Sequence, residues 1–143
     1  MTHTIAKDRN LKVLVIDHTS FARKVITKSL ANLGVQNIIE VGDAAAAVRR
    51  LRNEAFDLVV SDSQLPTMTG FELLQYIRDN ERIKDTPFLM LTGTLKEIDE
   101  IISTQSTVSD FLSKPFSTEA LENKVVRLMT KESMLRGDLD PRK

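Results

Sequence analysis

The chain has no cysteine and no tryptophan among its 143 residues, and only 5% of its residues are aromatic. Without cysteine it can form no disulfide, no thiolate metal site and no cysteine nucleophile. A chain of this length can bury roughly 70% of its unfolded surface, so it needs no such cross-links. We therefore expect one domain with an ordinary hydrophobic core.

Net charge and long apolar runs are absent as well. Lys plus Arg number 20 and Asp plus Glu number 20, so no overall charge attracts nucleic acid or an anionic membrane. The apolar runs are far shorter than the roughly 20 residues of a membrane-spanning helix, and the start, MTHTIAKDRN, is unlike a signal peptide. We expect a cytoplasmic protein with neither nucleic acid nor a membrane as its partner.

Five short, mostly apolar segments predict β-strands. They alternate little between apolar and polar residues, which is typical of strands covered on both faces in a parallel sheet. In chain order these segments are Lys12–Ile16, Asn37–Val41, Asp57–Ser61, Pro87–Leu91 and Asp110–Ser113.

A helical pattern follows each predicted strand. Gly34 is placed to end the first helix. The residues expected to cap the later helices are Asp43, Thr69 with Glu72, Thr94 with Glu97, and Ser117. Strand followed by helix, five times over, predicts an α/β fold of the flavodoxin-like, doubly wound (βα)5 type. Its five-stranded parallel sheet would have the order 2-1-3-4-5. We expect an N-terminal tail at 1–10, the domain at 11–130, and a C-terminal tail or helix extension at 131–143.

Chemically reactive side chains follow the predicted strands at their carboxyl ends. Asp17 and His18 follow the first strand, Asp62 the third, Thr92 the fourth and Lys114 the fifth. Because the first and third strands are neighbours in this order, Asp17 and Asp62 should face one another. Two carboxylates that close repel unless one is protonated or a cation lies between them. Carboxylate oxygens are ligands that suit Mg²⁺. The hydroxyl of Thr92 and the ammonium group of Lys114 would suit a bound phosphoryl group beside it.

Four segments together carry a resemblance to a known family. VLVID ends at Asp17, DLVVSDSQLPTMTGFELL contains Asp62, PFLMLTG contains Thr92, and FLSKPF contains Lys114. In this order, over residues 11–130, they resemble the receiver domain of two-component response regulators, close to the stand-alone CheY-like class. The combination is far more specific than a single three-residue motif.

The resemblance implies a phosphoacceptor and a metal site. Asp62 would accept a phosphoryl group from a histidine kinase or a phosphotransfer protein. Asp17, Asp62 and the backbone carbonyl of Gln64 would hold Mg²⁺. Receivers of this kind are not enzymes acting on a separate substrate; their chemistry is limited to Mg²⁺-dependent self-phosphorylation and autodephosphorylation.

The resemblance also implies a switch. Thr92 and Lys114 would contact the phosphoryl group, and Gly93 would leave space for it. Phe111 would occupy the aromatic switch position, and the Lys114–Pro115 peptide bond would be cis. In the family such residues remodel the face made by the fourth helix, fifth strand and fifth helix, through which a downstream protein would be contacted.

The chain departs from the family pattern at His18, because a second acidic residue usually follows the first strand. Imidazole is a poor ligand for Mg²⁺ and a good one for transition metals. We expect weakened Mg²⁺ affinity, with Mn²⁺ as an alternative ion, and slower phosphorylation. We expect His18 itself to be a solvated loop residue rather than a metal ligand.

Two functions remain open from the sequence. The first is a single-domain response regulator switched at Asp62, with a motor switch protein of chemotaxis, a kinase or a separate enzyme as its target. The alternative is a pseudo-receiver that binds proteins without phosphorylation, because His18 weakens the metal site. A haloacid-dehalogenase-type phosphatase is disfavoured, since Gln64 stands where its second aspartate is needed. The charged run KEIDE, residues 96–100, predicts a solvated helix face.

Overall fold

Five parallel strands form one sheet, and a helix follows each strand along the chain. The computed structural model describes residues 10–103 and 108–135. Most of the expected N-terminal tail and the end of the C-terminal region, residues 136–143, lie outside the described residues. The elements are β1 Lys12–Ile16, α1 Ser20–Asn32, β2 Asn37–Val41, α2 Ala44–Asn53, β3 Leu58–Asp62, α3 Gly70–Asp79, β4 Phe88–Thr92, α4 Leu95–Ser103, β5 Asp110–Ser113 and α5 Thr118–Leu135.

The strand order β2-β1-β3-β4-β5 confirms the predicted doubly wound sheet. All four neighbouring pairs are parallel. Strands β3 and β4 are buried along their whole length and β1 along almost all of it, whereas the edge strands β2 and β5 are only partly buried. The central strands have no solvent-facing side, which explains why their sequences alternate so little.

Strands β3 and β4 each begin and end one residue later than their sequences predict. The pairing of β3 with β4 starts late because Pro87 has no N–H to donate. The Pro87 carbonyl still accepts a hydrogen bond from Val59 N–H, at 2.9 Å. The pairing continues far enough to pair Asp62 with Leu91. Asp62 and Thr92 are therefore the last residues of their strands rather than the first residues of the loops. Their backbones are fixed by the sheet, and this limits where their side chains can reach.

The core lies in two layers, one on each face of the sheet. Leu30 of α1 and Val125 of α5 pack on one face, and Leu51 of α2 and Ile77 of α3 pack on the other. Full burial of such side chains stabilises the fold by about 1.5–3 kcal/mol each. No helix in the described part of the chain is both long and apolar enough to cross a membrane.

Four of the predicted signals at the helix ends act as their sequences indicate. Gly34 follows α1 with a positive φ of 92°, a conformation that glycine adopts without strain. Asp43 accepts a hydrogen bond from Ala46 N–H at 2.7 Å. Thr69 forms a reciprocal capping box at the start of α3, and the Ser117 hydroxyl accepts from Ala120 N–H at 3.0 Å. These caps set the helix starts close to the carboxyl ends of the strands.

Candidate functional site

Two buried carboxylates lie side by side at the carboxyl edge of the sheet. Asp17 directly follows β1 and Asp62 ends β3, and these strands pair in parallel. Asp17 is 1% exposed and Asp62 is 4% exposed. A buried ionised group is costly unless it is paired and hydrogen-bonded. The contacts of each carboxylate oxygen therefore show what the site can accommodate.

One oxygen of each carboxylate is satisfied by the neighbouring loop. Asp17 Oδ1 accepts hydrogen bonds from the N–H (3.0 Å) and hydroxyl (3.1 Å) of Thr19. Asp62 Oδ1 accepts one from the backbone N–H of Gln64 at 3.0 Å. These bonds fix both side chains and leave the Oδ2 atoms for other partners.

Lys114 supplies the positive charge between the two remaining oxygens. Its Nζ lies 3.0 Å from Asp62 Oδ2 and 3.7 Å from Asp17 Oδ2. The longer distance is that of an ion pair, and within the described residues Asp17 Oδ2 accepts no hydrogen bond. A buried carboxylate oxygen without a donor is a position at which a cation would be stabilised.

His18 lies at the mouth of this pocket. Its side chain is half exposed, as expected for a loop residue, yet Nδ1 lies 3.7 Å from Asp17 Oδ1 and 3.9 Å from Asp62 Oδ2. One ligand atom from each of these three residues lies within 4.8 Å of the other two. The structure thus brings all three side chains to one place, and the role of His18 as ligand or bystander stays a prediction.

Thr92 and Gly93 close the side of the pocket formed by β4. Thr92 is buried, and its hydroxyl has no hydrogen-bond partner in the described part of the chain. An unsatisfied buried hydroxyl costs about 1–3 kcal/mol. The Thr92 carbonyl accepts from Lys114 N–H at 2.7 Å, which anchors the lysine at this edge. Among the described atoms, a Cβ at Gly93 would lie within 4 Å of Glu97 Oε1 alone, at 3.9 Å, so there is space beside it.

Phe111 and Pro115 lie further along the same edge. Phe111 is on β5 opposite Met90 and is partly buried against the core. Lys124 Nζ lies 5.9 Å from the centre of its ring. The Lys114–Pro115 peptide bond is cis, as the resemblance implied. The switching role of Phe111 stays a prediction.

Glu97 is the residue that sequence reasoning placed wrongly. The run KEIDE predicts a solvated face, but Glu97 is only 6% exposed. Its Oε1 accepts from Gly93 N–H (3.0 Å), and its Oε2 accepts from Gln64 Nε2 (3.0 Å). Thr94 caps α4 through its hydroxyl, which accepts from Glu97 N–H at 3.2 Å. The Glu97 carboxylate accepts from the Thr94 hydroxyl at 3.3 Å and from the backbone N–H of Gly93, rather than from the Thr94 N–H that a reciprocal capping box would use.

The charge of Glu97 is stabilised by these donors. Burial raises its pKa, but bonding to Ser63, Gly93, Gln64 and Thr94 outweighs burial and lowers the pKa below the ordinary value. Ser63 contributes although its hydroxyl makes no hydrogen bond of standard geometry. A negative charge is therefore held beside the carboxylate pocket.

Gly70 is a second residue whose importance the sequence did not show. A Cβ at this position would lie 2.5 Å from Asp62 O and 2.9 Å from both Met90 Sδ and Ser63 Cα. Gly70 N–H donates to Ser63 O at 2.9 Å. Only glycine allows α3 to begin this close to the phosphoacceptor candidate. Glycine is disfavoured inside a helix, so its presence in the first turn of α3 is the sequence signal that could have indicated this close contact.

A model of the response regulator receiver domain family matches residues 13–126 of the chain. The chain belongs to this family. The receiver domain is 35% identical over 118 residues to the chemotaxis protein CheY of Pseudomonas aeruginosa. The aligned residues make up 82% of this chain and 95% of the relative. The resemblance drawn from the sequence motifs is thereby confirmed.

Solved structures confirm the fold of the receiver domain. The chemotaxis response regulator CheY4 of Vibrio cholerae aligns with a TM-score of 0.75 at 28% identity, covering 82% of this chain and 98% of that one. The receiver domain of a sensor histidine kinase from Pseudomonas aeruginosa PAO1 aligns with a TM-score of 0.74 at 26% identity, covering 85% and 98%. That structure has a magnesium ion coordinated in its active site cleft.

Proposed function

We propose that this receiver domain is a phosphorylation-dependent signalling switch, with Asp62 as the phosphoacceptor. A histidine kinase or phosphotransfer protein would supply the phosphoryl group. The observation that carries this proposal is the convergence of Asp17, Asp62 and Lys114, with 3.0 Å between Asp62 Oδ2 and Lys114 Nζ. An aspartate without function has no need of a buried carboxylate and an ammonium group this close to it.

The transfer itself needs positioning more than covalent chemistry from the protein. An Asp62 oxygen attacks phosphorus, the bond from phosphorus to the donor's imidazole nitrogen breaks, and an acyl phosphate forms. Lys114 is placed to neutralise charge on the transferred oxygens. The Thr92 hydroxyl, which has no partner among the described residues, would donate to one of them.

The residues present fit a divalent cation. Asp17 and Asp62 offer oxygens at one point, and Asp17 Oδ2 has no donor among the described residues. Mg²⁺ prefers such ligands, and a related receiver holds it in its cleft. Asp17, Asp62 and the Gln64 carbonyl would bind the ion, which when bound would offset charge on the phosphoryl group.

His18 would change the preference of this metal site. It places an imidazole where the family usually has a hard anionic ligand, so Mg²⁺ affinity would fall and Mn²⁺, a transition-metal ion, would gain relative to Mg²⁺. Replacing His18 by aspartate should therefore raise Mg²⁺ affinity more than Mn²⁺ affinity. Calorimetric titration of both ions into the wild type and His18→Asp would measure this difference.

Output would pass through protein contacts. Phosphorylation adds about −1.5 to −2 charges and three acceptor oxygens, enough to draw the Thr92 hydroxyl and the Lys114 ammonium inward. Phe111 would follow this movement, since β5 pairs directly with β4. The changed surface would be that of α4, β5 and α5. A pull-down with beryllofluoride-treated and untreated protein would show whether partner binding depends on the phosphorylated state.

Intact mass spectrometry tests the phosphoacceptor. The protein is mixed with acetyl phosphate and either Mg²⁺ or Mn²⁺, alongside Asp62→Asn and the exposed control Asp79→Asn. We expect one phosphoryl adduct on the wild type and on Asp79→Asn, and none on Asp62→Asn. Absence of an adduct on the wild type with either ion would refute the proposal and favour a pseudo-receiver.

A further inference from the structure

One buried carboxylate ties together the two loops that flank Asp62. Gln64 lies in the loop after β3, two residues beyond Asp62, and its side chain donates to Glu97 Oε2 at 3.0 Å. Gly93 begins the loop after β4, and its N–H donates to Glu97 Oε1 at 3.0 Å. Glu97 itself lies in the first turn of α4. The position of α4 is therefore linked directly to the edge of the phosphoacceptor pocket.

A phosphoryl group on Asp62 would act against these contacts in two ways. It adds negative charge at Asp62, whose carboxylate shares a hydrogen-bonding partner, Gln64, with Glu97, so the two anions repel. It also carries three strong acceptor oxygens that compete for nearby donors, of which the Gly93 N–H and the Gln64 carboxamide are two. Charge-assisted hydrogen bonds of this kind are about twice as strong as neutral ones. The competition is thus between two anions for one set of donors.

We propose that Glu97 is a positioning residue that stabilises the unphosphorylated conformation by holding the Gly93 N–H and the Gln64 side chain. This inference rests on the proposed function. It assigns Glu97 no contact with the reacting atoms. Glu97 acts through its two partners, and release of its carboxylate frees the first turn of α4 to move.

The test titrates Glu97 variants with beryllofluoride in the presence of Mg²⁺. NMR spectra of the backbone amides measure the response at each concentration. Glu97→Ala removes both contacts, whereas Glu97→Gln removes the charge but keeps an acceptor oxygen. Asp99→Asn is the control, because it removes the same charge from an exposed position on the same helix. We expect the midpoint concentration of beryllofluoride to fall about threefold to tenfold in Glu97→Ala. The fall should be smaller in Glu97→Gln and absent in Asp99→Asn.

Amide hydrogen exchange in α4 shows whether each variant keeps the helix. If Glu97→Ala loses protection there, Glu97→Gln decides the question, because glutamine keeps an acceptor oxygen that can still hold the start of α4 while the charge is removed. Midpoints for both Glu97 variants equal to those of the wild type and Asp99→Asn would overturn the inference while leaving the proposed function intact. A wild type that does not respond at all would instead refute the proposed function, and this inference with it.

Discussion

Replacing Lys114 by methionine should destabilise the protein strongly, and Mg²⁺ should recover part of the loss. Methionine keeps most of the apolar stem of lysine but removes the ammonium group that lies between Asp17 and Asp62. The two buried carboxylates then face one another without it, and their mutual repulsion is no longer offset by Lys114. A divalent ion, no longer competing with an ammonium group, would take that place.

The geometry sets the size of the effect. At an effective dielectric constant of about 20, unit charges 3.0 Å apart attract by about 5.5 kcal/mol and those 3.7 Å apart by about 4.5 kcal/mol. Desolvation of the three groups opposes most of this attraction, and removal of one partner of a buried pair costs about 3–5 kcal/mol. Because the Lys114 side chain is 33% exposed, we expect about 3 kcal/mol. This corresponds to a fall in Tm of about 10 °C for a domain of this size.

Urea unfolding followed by circular dichroism, with and without Mg²⁺, measures both effects. Lys124→Met is the matched control, since Lys124 is similarly exposed (27%) but pairs with a single carboxylate, Asp110, at 3.1 Å. It should lose about 1 kcal/mol or less and should not respond to Mg²⁺ more than the wild type does. Equal losses in the two variants, or Lys114→Met stabilised by Mg²⁺ no more than the wild type, would refute this account of the pocket.

Three further substitutions test other parts of the site. Gly70→Ala should lose about 1–3 kcal/mol of unfolding free energy in chemical denaturation through its 2.5 Å clash with Asp62 O, whereas Gly93→Ala should lose little; similar losses would contradict the steric argument. Thr92→Val should raise the unfolding free energy by about 1 kcal/mol, because it removes a buried hydroxyl that has no partner in the part of the chain that the structure describes, and it should weaken beryllofluoride binding. A loss of stability would mean that the hydroxyl is already bonded. The Glu97 pKa is lowered in the folded protein, so its contribution to stability is complete above the ordinary value of 4.5 and is lost as pH falls through the folded pKa. As pH falls below 4.5, the unfolding free energy should therefore decrease less in Glu97→Gln than in the wild type. Urea unfolding at several pH values measures this, and the same pH dependence in both proteins would contradict it.

The sequence was sufficient to predict the sheet and the residues at its carboxyl edge. Asp17 and Asp62 follow apolar segments whose order along the chain, with right-handed crossovers, leaves few possible topologies. Once β1 and β3 are neighbours, the two carboxylates must meet. The one-residue errors at β3 and β4 arose because backbone pairing, which extends to Asp62 and Thr92, is not visible in side-chain pattern.

Contacts between loops could not be predicted in the same way. Glu97 has the spacing of a capping residue for α4, and that local pattern gives no sign that its carboxylate also reaches Gln64, 33 positions away in sequence. The close approach at Gly70 likewise depends on where α3 lies against the end of β3. Such contacts follow from the packing of elements, which only the folded structure defines.

Chemical mapping of the phosphoryl group tests the central claim most directly. Borohydride reduces an acyl phosphate to an alcohol, and trypsin places Asp17 and Asp62 in different peptides because Arg23 and Arg52 lie between them. After treatment with acetyl phosphate and a divalent cation, fragmentation of the peptides should find the reduced residue at Asp62. Reduction at Asp17 instead, or at neither aspartate, would contradict the assignment of Asp62 as the residue that carries the signal.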